Sequence, residues 1–283
     1  VLSADLPTQV HIALAGLDGN GDSNSMAVSW NTQGSTSTST VKFGTSSGVY
    51  SASATGSASA YYETYNHHVV LGALTPNTKY FYVVGDDQAG WSKEFTFKSA
   101  PTFNQLRGNY SFFVFGDMGE NRGQDSEAYI KANKDSVELV WHAGDVGYAD
   151  DSFLHLGCLT EFCYEKAFDA YLNDAEEWAA TKPYMVMPGN HEADCHDPAC
   201  LLSRERREKL SNFTAFNGRF RMPSEESGGI KNMFYSFNYA NIHFISFDSE
   251  TDYPNAPLAT RYILPCGGFG DQLKWLEQDL IKA

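Results

Sequence analysis

Val137-Glu138-Leu139-Val140-Trp141-His142-Ala143-Gly144-Asp145-Val146-Gly147-Tyr148 is an apolar run that ends abruptly in glycine, carboxylate and phenol. The run reads as a buried strand, and the polar end as the loop that leaves it. Two other stretches repeat the pattern. Phe112-Phe113-Val114-Phe115 leads into Gly116-Asp117-Met118-Gly119, and Tyr184-Met185-Val186-Met187 leads into Gly189-Asn190-His191-Glu192. An oxygen-rich residue just past the carboxyl end of successive strands is how an α/β sheet assembles a site along one edge. Two carboxylates, a phenol, a carboxamide and an imidazole are expected to converge there, a donor set suited to metal ions.

The bounds of the chain agree with that reading. A length of 283 residues is enough for two domains, each with its own core. A hydrophobic content of 42% and a charged content of 19% are those of a globular protein. No apolar run approaches the roughly 20 residues needed to span a bilayer. The formal net charge of −15 argues against nucleic acid as partner, because neutralising phosphates takes clustered Lys and Arg. A phosphate-ester substrate would need bound cations to overcome that negative field. No basic, apolar leader opens the chain, as expected if it begins at a mature end or was never exported.

Cysteine use favours an oxidising compartment and a secreted protein. Cys158 and Cys163 bracket four residues, as do Cys195 and Cys200, so two small-loop disulfides are expected, with connectivity left open by spacing alone. A zinc site built on Cys195, His196 and Cys200 fits no common spacing. The sequons at Asn109 and Asn212 agree with secretion and glycosylation. Cys266 is the odd fifth cysteine and is expected to pair outside this chain.

Residues 1–100 alternate apolar and polar positions in short runs separated by Gly, Asn and Ser, the pattern of an all-β sandwich. Leu74-Thr75-Pro76-Asn77-Thr78-Lys79-Tyr80 matches a turn of fibronectin type III domains in which the Tyr hydroxyl bonds back to the backbone. Asp18-Gly19-Asn20-Gly21-Asp22 opens like a calcium loop, but Ser23 and Ser29 stand where Gly and Glu are required, so it reads as a turn. His67 and His68 read as packing or surface residues. Residues 99–108 read as a linker, and the α/β domain is expected over 108–283. Helices are expected over 124–134, 164–181 and 270–282, with Phe168, Tyr171, Leu172 and Trp178 on the core face of the second. Leu273, Leu276 and Leu280 are expected on the core face of the third, and 232–239 and 241–247 read as a strand pair turning at Ala240.

Each site residue has a role its chemistry suggests. Asp117 and Asp145 are hard oxygen donors, one of them able to bridge two ions. Tyr148 discriminates most. A phenol ligates well only as phenolate, and a trivalent ion lowers its pKa more readily than a divalent one, which points to Fe(III). Asn190 offers a neutral carbonyl oxygen for a divalent ion, and His191 stands ready to bond a phosphate oxygen or protonate a leaving group. A zincin His-Glu-x-x-His reading at His191 fails, because His196 comes one residue too late.

Taken together, Gly-Asp-x-Gly, Gly-Asp-x-x-Tyr and Gly-Asn-His-Glu resemble the purple acid phosphatases, within the calcineurin-like metallophosphoesterase superfamily. Ala149-Asp150-Asp151-Ser152-Phe153 and Cys195-His196-Asp197-Pro198-Ala199-Cys200 are similar to secreted fungal-type members. The resemblance implies a fibronectin-like sandwich followed by an α/β metallophosphoesterase domain with layered mixed sheets. It makes Asp117 and Tyr148 ligands of Fe(III), Asp145 the bridge, and Asn190 a ligand of zinc, iron or manganese. His191 would be the catalytic, phosphate-contacting residue. The implied activity is hydrolysis of a phosphomonoester by in-line attack of a metal-bound hydroxide.

The family's Val-x-x-His and Gly-His-x-His motifs are absent from these 283 residues. The expectation is therefore an α/β domain incomplete at its C-terminus, whose histidine-bearing remainder is a partner, with Cys266 as the candidate link. A non-catalytic glycosylated binding protein on the same scaffold is the competing reading. Tyr148 disfavours a nucleotidase or phosphodiesterase holding two divalent ions.

Overall fold

The computed structural model describes residues 6–16, 23–102, 109–120, 122–154, 156–158, 161–195, 197–256 and 266–283. The turn at 18–22, most of the linker at 99–108, and His196 lie outside them.

Nine strands come first: β1 Thr8–Ala15, β2 Ser25–Thr32, β3 Thr40–Gly44, β4 Ala52–Thr55, β5 Ser57–Tyr61, β6 Thr64–Leu71, β7 Lys79–Asp86, β8 Gly90–Trp91 and β9 Phe95–Lys98. They form two antiparallel sheets, ordered β1-β2-β6-β5 and β4-β3-β7-β8, with β9 also paired to β7. Their inward faces supply one core, including Val10, Trp30, Val41, Tyr82 and Phe97. The Tyr80 hydroxyl accepts the Thr75 N–H at 2.9 Å, closing the fibronectin-type turn. His67 is fully buried, stacks on Trp30 at 4.9 Å, and meets the hydroxyls of Thr32 and Ser39. It is a core residue.

Strands β10 Phe112–Phe115, β11 Leu139–Ala143 and β12 Tyr184–Met187 then form a parallel sheet. Phe115 lies opposite His142 and Ala143 opposite Met187, so the three strands end nearly level. The loops that follow must leave side by side. Helix α1 Gln124–Asn133 and helix α2 Tyr164–Ala179 make the crossovers, and α2 buries Phe168, Tyr171, Leu172, Ala175 and Trp178 at three- and four-residue spacing. Four short helices follow: α3 Pro198–Leu202, α4 Arg204–Leu210, α5 Thr214–Arg219 and α6 Ser224–Ser227. The hairpin β13 Tyr235–Tyr239 and β14 Ile242–Ser246 turns at Ala240, at φ 53°. It forms its own sheet, layered on the parallel one through Phe112, Trp141, Phe237 and Phe244, whose rings meet edge to face.

Helix α7 Gln272–Lys282 departs from the leucine-stripe expectation. Leu273 and Leu280 are more than half exposed, while Gln272, Trp275 and Asp279 are buried. Polar contacts set the rotation of this helix. Asp279 accepts from Ser236 Oγ at 2.6 Å and meets His243 Nε2 at 2.8 Å, Gln272 donates to Asp248 O, and the Trp275 indole donates to Ser227 O.

The sandwich and the α/β domain share a polar seam. Arg219, 1% exposed, meets Glu165 Oε2 at 2.6 Å, Asp169 Oδ1 at 2.8 Å and Gln9 Oε1 at 3.1 Å. The Tyr61 hydroxyl donates to Glu165, and that of Tyr82 to Ala180 O. A bridge between Ile12 and Pro183 sets β1 beside β12.

Candidate metal centre

The three strand-end loops meet as parallel strands in register require. Asp117 N–H donates to Gly144 O, Met118 N–H to Asp145 O and Gly119 N–H to Val146 O, at 2.9–3.2 Å, so the ladder of β10 and β11 continues into the loops. Asp117, Asp145 and Tyr148 all take left-handed backbone angles, φ 59°, 54° and 48°. A non-glycine residue there costs roughly 1–3 kcal/mol, and such strain clusters at functional sites. The third loop is locked on by Gly189, where a Cβ would come 2.3 Å from Asp145 Oδ1.

Asp117, Asp145 and Tyr148 come together. The Tyr148 hydroxyl lies 2.8 Å from Asp117 Oδ2 and 3.3 Å from Asp145 Oδ2. Burial, the bond to Asp117 and the charge of Asp145 push the phenol well above its ordinary pKa, with Arg122 working the other way. A phenol donating into two carboxylates marks where a cation would take the place of the shared proton. Two hard oxygens and a phenol able to become phenolate fit a strongly charged, oxygen-seeking ion. Asn190 opens the short turn Asn190–Glu192 and is exposed, brought beside the group by its neighbours. The His191 N–H donates to Asp145 Oδ1 at 3.1 Å, and the His191 ring packs on Tyr148 with centroids 4.2 Å apart.

Three contributors escaped the sequence reading. Asp150, fully buried, holds His191 Nδ1 at 2.8 and 3.0 Å, and with Asp151 and His191 it forms a cluster able to hold a cation. Burial opposes the charged imidazole, but the Asp150 bond and the charges of Asp150, Asp145 and Asp151 outweigh it and raise His191 to about 8. Glu192, also buried, accepts the N–H groups of Asp145, Val146 and Gly189 at 2.7–2.9 Å, tying the third loop to the second. Burial and the nearby Asp145 charge raise its carboxyl to about 7. Arg122 lies over the Tyr148 ring. A glutamate three residues after Gly189, placed to reach back to a turn N–H, was the available sign for Glu192.

The structure joins Cys158 to Cys163 and Cys195 to Cys200, and the latter pair excludes zinc ligation by those thiols. Cys266 is half-buried, its Sγ 3.6 Å from Ala193 O, and burial raises the thiol to about 11. Asn109 is exposed, whereas the Asn212 amide exchanges two hydrogen bonds with the Gly267 backbone.

Residues 7–99 match the family model of the purple acid phosphatase N-terminal domain, and residues 110–281 that of the calcineurin-like phosphoesterases. The chain is 32% identical over 282 residues to a probable purple acid phosphatase 20 of Arabidopsis thaliana, covering 98% of this chain and 55% of that protein. It is 30% identical over 343 residues to acid phosphatase A of Cryphonectria parasitica, covering 99% of this chain and 66% of that protein. The solved purple acid phosphatase from yellow lupin seeds shares the fold, with a TM-score of 0.71 at 19% identity over 100% of this chain and 49% of that one. The chain spans about half the length of the first two Arabidopsis relatives it matches. With both domain families matched in order and relatives aligned along nearly its whole length, this chain belongs to the purple acid phosphatase family.

Proposed function

We propose that this chain carries the phosphate-facing part of a secreted, metal-dependent acid phosphatase that hydrolyses phosphomonoesters. The observation that carries the reading is the approach of the Tyr148 hydroxyl to both Asp117 and Asp145, which gathers three oxygen donors from two loops. Asp117 and Tyr148 would hold Fe(III), Asp145 would bridge, and Asn190 would hold a divalent zinc, iron or manganese ion. Tyr148 favours the trivalent ion, since a phenol ligates well only as phenolate and a trivalent cation lowers its pKa more readily than a divalent one. Two such ions would supply Lewis-acid polarisation of the phosphoryl group and an acidified water.

The chain's own residues do the rest. His191 is held at Nδ1 by Asp150, which leaves Nε2 as the nitrogen to meet a phosphate oxygen. In its protonated form it can donate there to the phosphate or to the departing alkoxide. Glu192 keeps the Asn190–His191 turn seated against Asp145. Four donors fall short of two full coordination spheres, so the reading assigns further donors to a histidine-bearing segment of the same protein.

Metal content, the visible spectrum and hydrolysis of p-nitrophenyl phosphate at mildly acidic pH test this together. Iron with a second metal, a visible phenolate band and turnover are expected. Colourless, metal-poor protein without turnover would favour a binding role.

A further inference from the structure

The loop that carries Asp117 also closes over Tyr148, a contact that metal ligation by itself does not require. Arg122 places its guanidinium carbon 3.9 Å from the centroid of the Tyr148 ring. Its Nη2 is held 2.7 Å from Asp151 Oδ2. Gly119, three residues earlier, is where loop and ring meet. It takes φ +64°, and a Cβ there would come 2.9 Å from Tyr148 Cδ2. The left-handed backbone of Tyr148 persists in a bulky residue only when the surroundings hold the ring in place.

We propose that Arg122 is a positioning residue for Tyr148: tethered by Asp151, its guanidinium fixes the phenol ring between Asp117 and Asp145 and tunes the electron density the ring can offer a bound cation. The proposal rests on the reading of Tyr148 as a metal ligand. A cation over an aromatic face is attracted by the ring's quadrupole, modestly at a solvent-exposed site such as that of Arg122. Arginine suits the place because its flat guanidinium stacks on the ring while one nitrogen keeps the carboxylate tether, which a lysine ammonium cannot do together. The positive charge stabilises the electron-rich ring. Its removal raises the energy of the ring's highest filled orbital, so less energy is needed to move an electron from ring to metal.

The test compares wild type, Arg122→Ala, Arg122→Lys and Asp151→Asn as metal-loaded protein, by visible absorption with bound metal counted in the same samples. Arg122→Ala is expected to move the charge-transfer band to longer wavelength at unchanged metal content. Arg122→Lys, keeping the charge without the stack, should move it less, and Asp151→Asn should move it in the direction of Arg122→Ala. A wild-type band maximum in Arg122→Ala at wild-type metal content would overturn the proposal. Should Arg122→Ala not fold or not hold metal, Arg122→Lys decides: a displaced band supports the proposal and an undisplaced one overturns it. Wild-type protein holding stoichiometric metal without a visible band would instead overturn the ligand role of Tyr148, a failure seen before any variant is compared.

Discussion

Asp150 holds His191 by one ring nitrogen, both of its carboxylate oxygens lying 2.8–3.0 Å from Nδ1 while the carboxylate itself is sealed from solvent. An asparagine at 150 keeps one acceptor and loses the charge that favours the imidazolium. Asp150→Asn should lower kcat about 100-fold, the scale of a displaced proton-transfer group, with metal content unchanged. Steady-state kinetics on an aryl phosphate check this. A wild-type rate would mean that the bond from His191 N–H to Asp145 is sufficient to orient the ring.

Glu192 receives three backbone N–H groups from two loops. A glutamine offers one acceptor and turns an NH2 toward donors. At about pH 8.5, where the carboxyl raised to about 7 is ionised, Glu192→Gln should cost about 2–4 kcal/mol, since bonds to charged groups contribute roughly 1.5–3 kcal/mol and a buried donor left unmet adds its own penalty. Urea unfolding of the metal-free protein measures it, and a loss under about 1 kcal/mol would contradict the role given to Glu192.

Gly189 has no room for a methyl group, with Asp145 Oδ1 at 2.3 Å and Asp145 N at 2.5 Å from the Cβ position. Those atoms are backbone or a short, engaged carboxylate, so Asp145 must move. Gly189→Ala should therefore lose bound metal while keeping the far-ultraviolet circular dichroism of the wild type. Full metal retention would show that the loop has slack the geometry does not suggest.

His67 makes the fold sensitive to acid. Burial, opposed by the charge of Asp86, lowers its imidazole from 6.5 to about 4. The unfolded chain takes up a proton near pH 6.5 that the folded chain refuses until about 4. The stability at stake is complete above pH 6.5 and drains as pH falls toward 4, by at most about 3 kcal/mol. Between pH 7 and pH 4.5, wild type should lose more Tm than His67→Gln. Equal losses would place the acid lability elsewhere.

Arg219 is the cation of the seam between the domains, and its loss strands two acids. Arg219→Met leaves Glu165 and Asp169 without their partner and should cost about 3–5 kcal/mol at neutral pH. Burial already raises the Glu165 carboxyl, so protonation should relieve part of that cost as the pH drops. Thermal unfolding at two pH values checks both statements. A cost that grows in acid would refute them.

Several features were legible in the sequence because they depend on neighbours along the chain. The strand-to-loop junctions at Phe115, Ala143 and Met187 announce themselves by an apolar run meeting glycine and an oxygen donor. The long helix α2 shows its aromatic stripe over four turns. Helices α3 to α6 run four to seven residues, too short to establish a period. The leucine stripe held at Leu276, which packs against the core, and misled at Leu273 and Leu280, because hydrophobic spacing cannot show which face a buried aspartate will anchor.

The apolar runs ahead of Asp117, Asp145 and Asn190, and the loops that follow them, were determined by sequence alone, since period and punctuation are local properties. Tertiary structure alone decided what surrounds them. Asp150 reaches His191 across 41 residues, Glu192 reaches Val146 across 46, and Arg122 reaches Asp151 across 29. No local pattern encodes such pairs. They exist because level strand ends bring three loops within hydrogen-bond range, where burial makes each charge seek a partner.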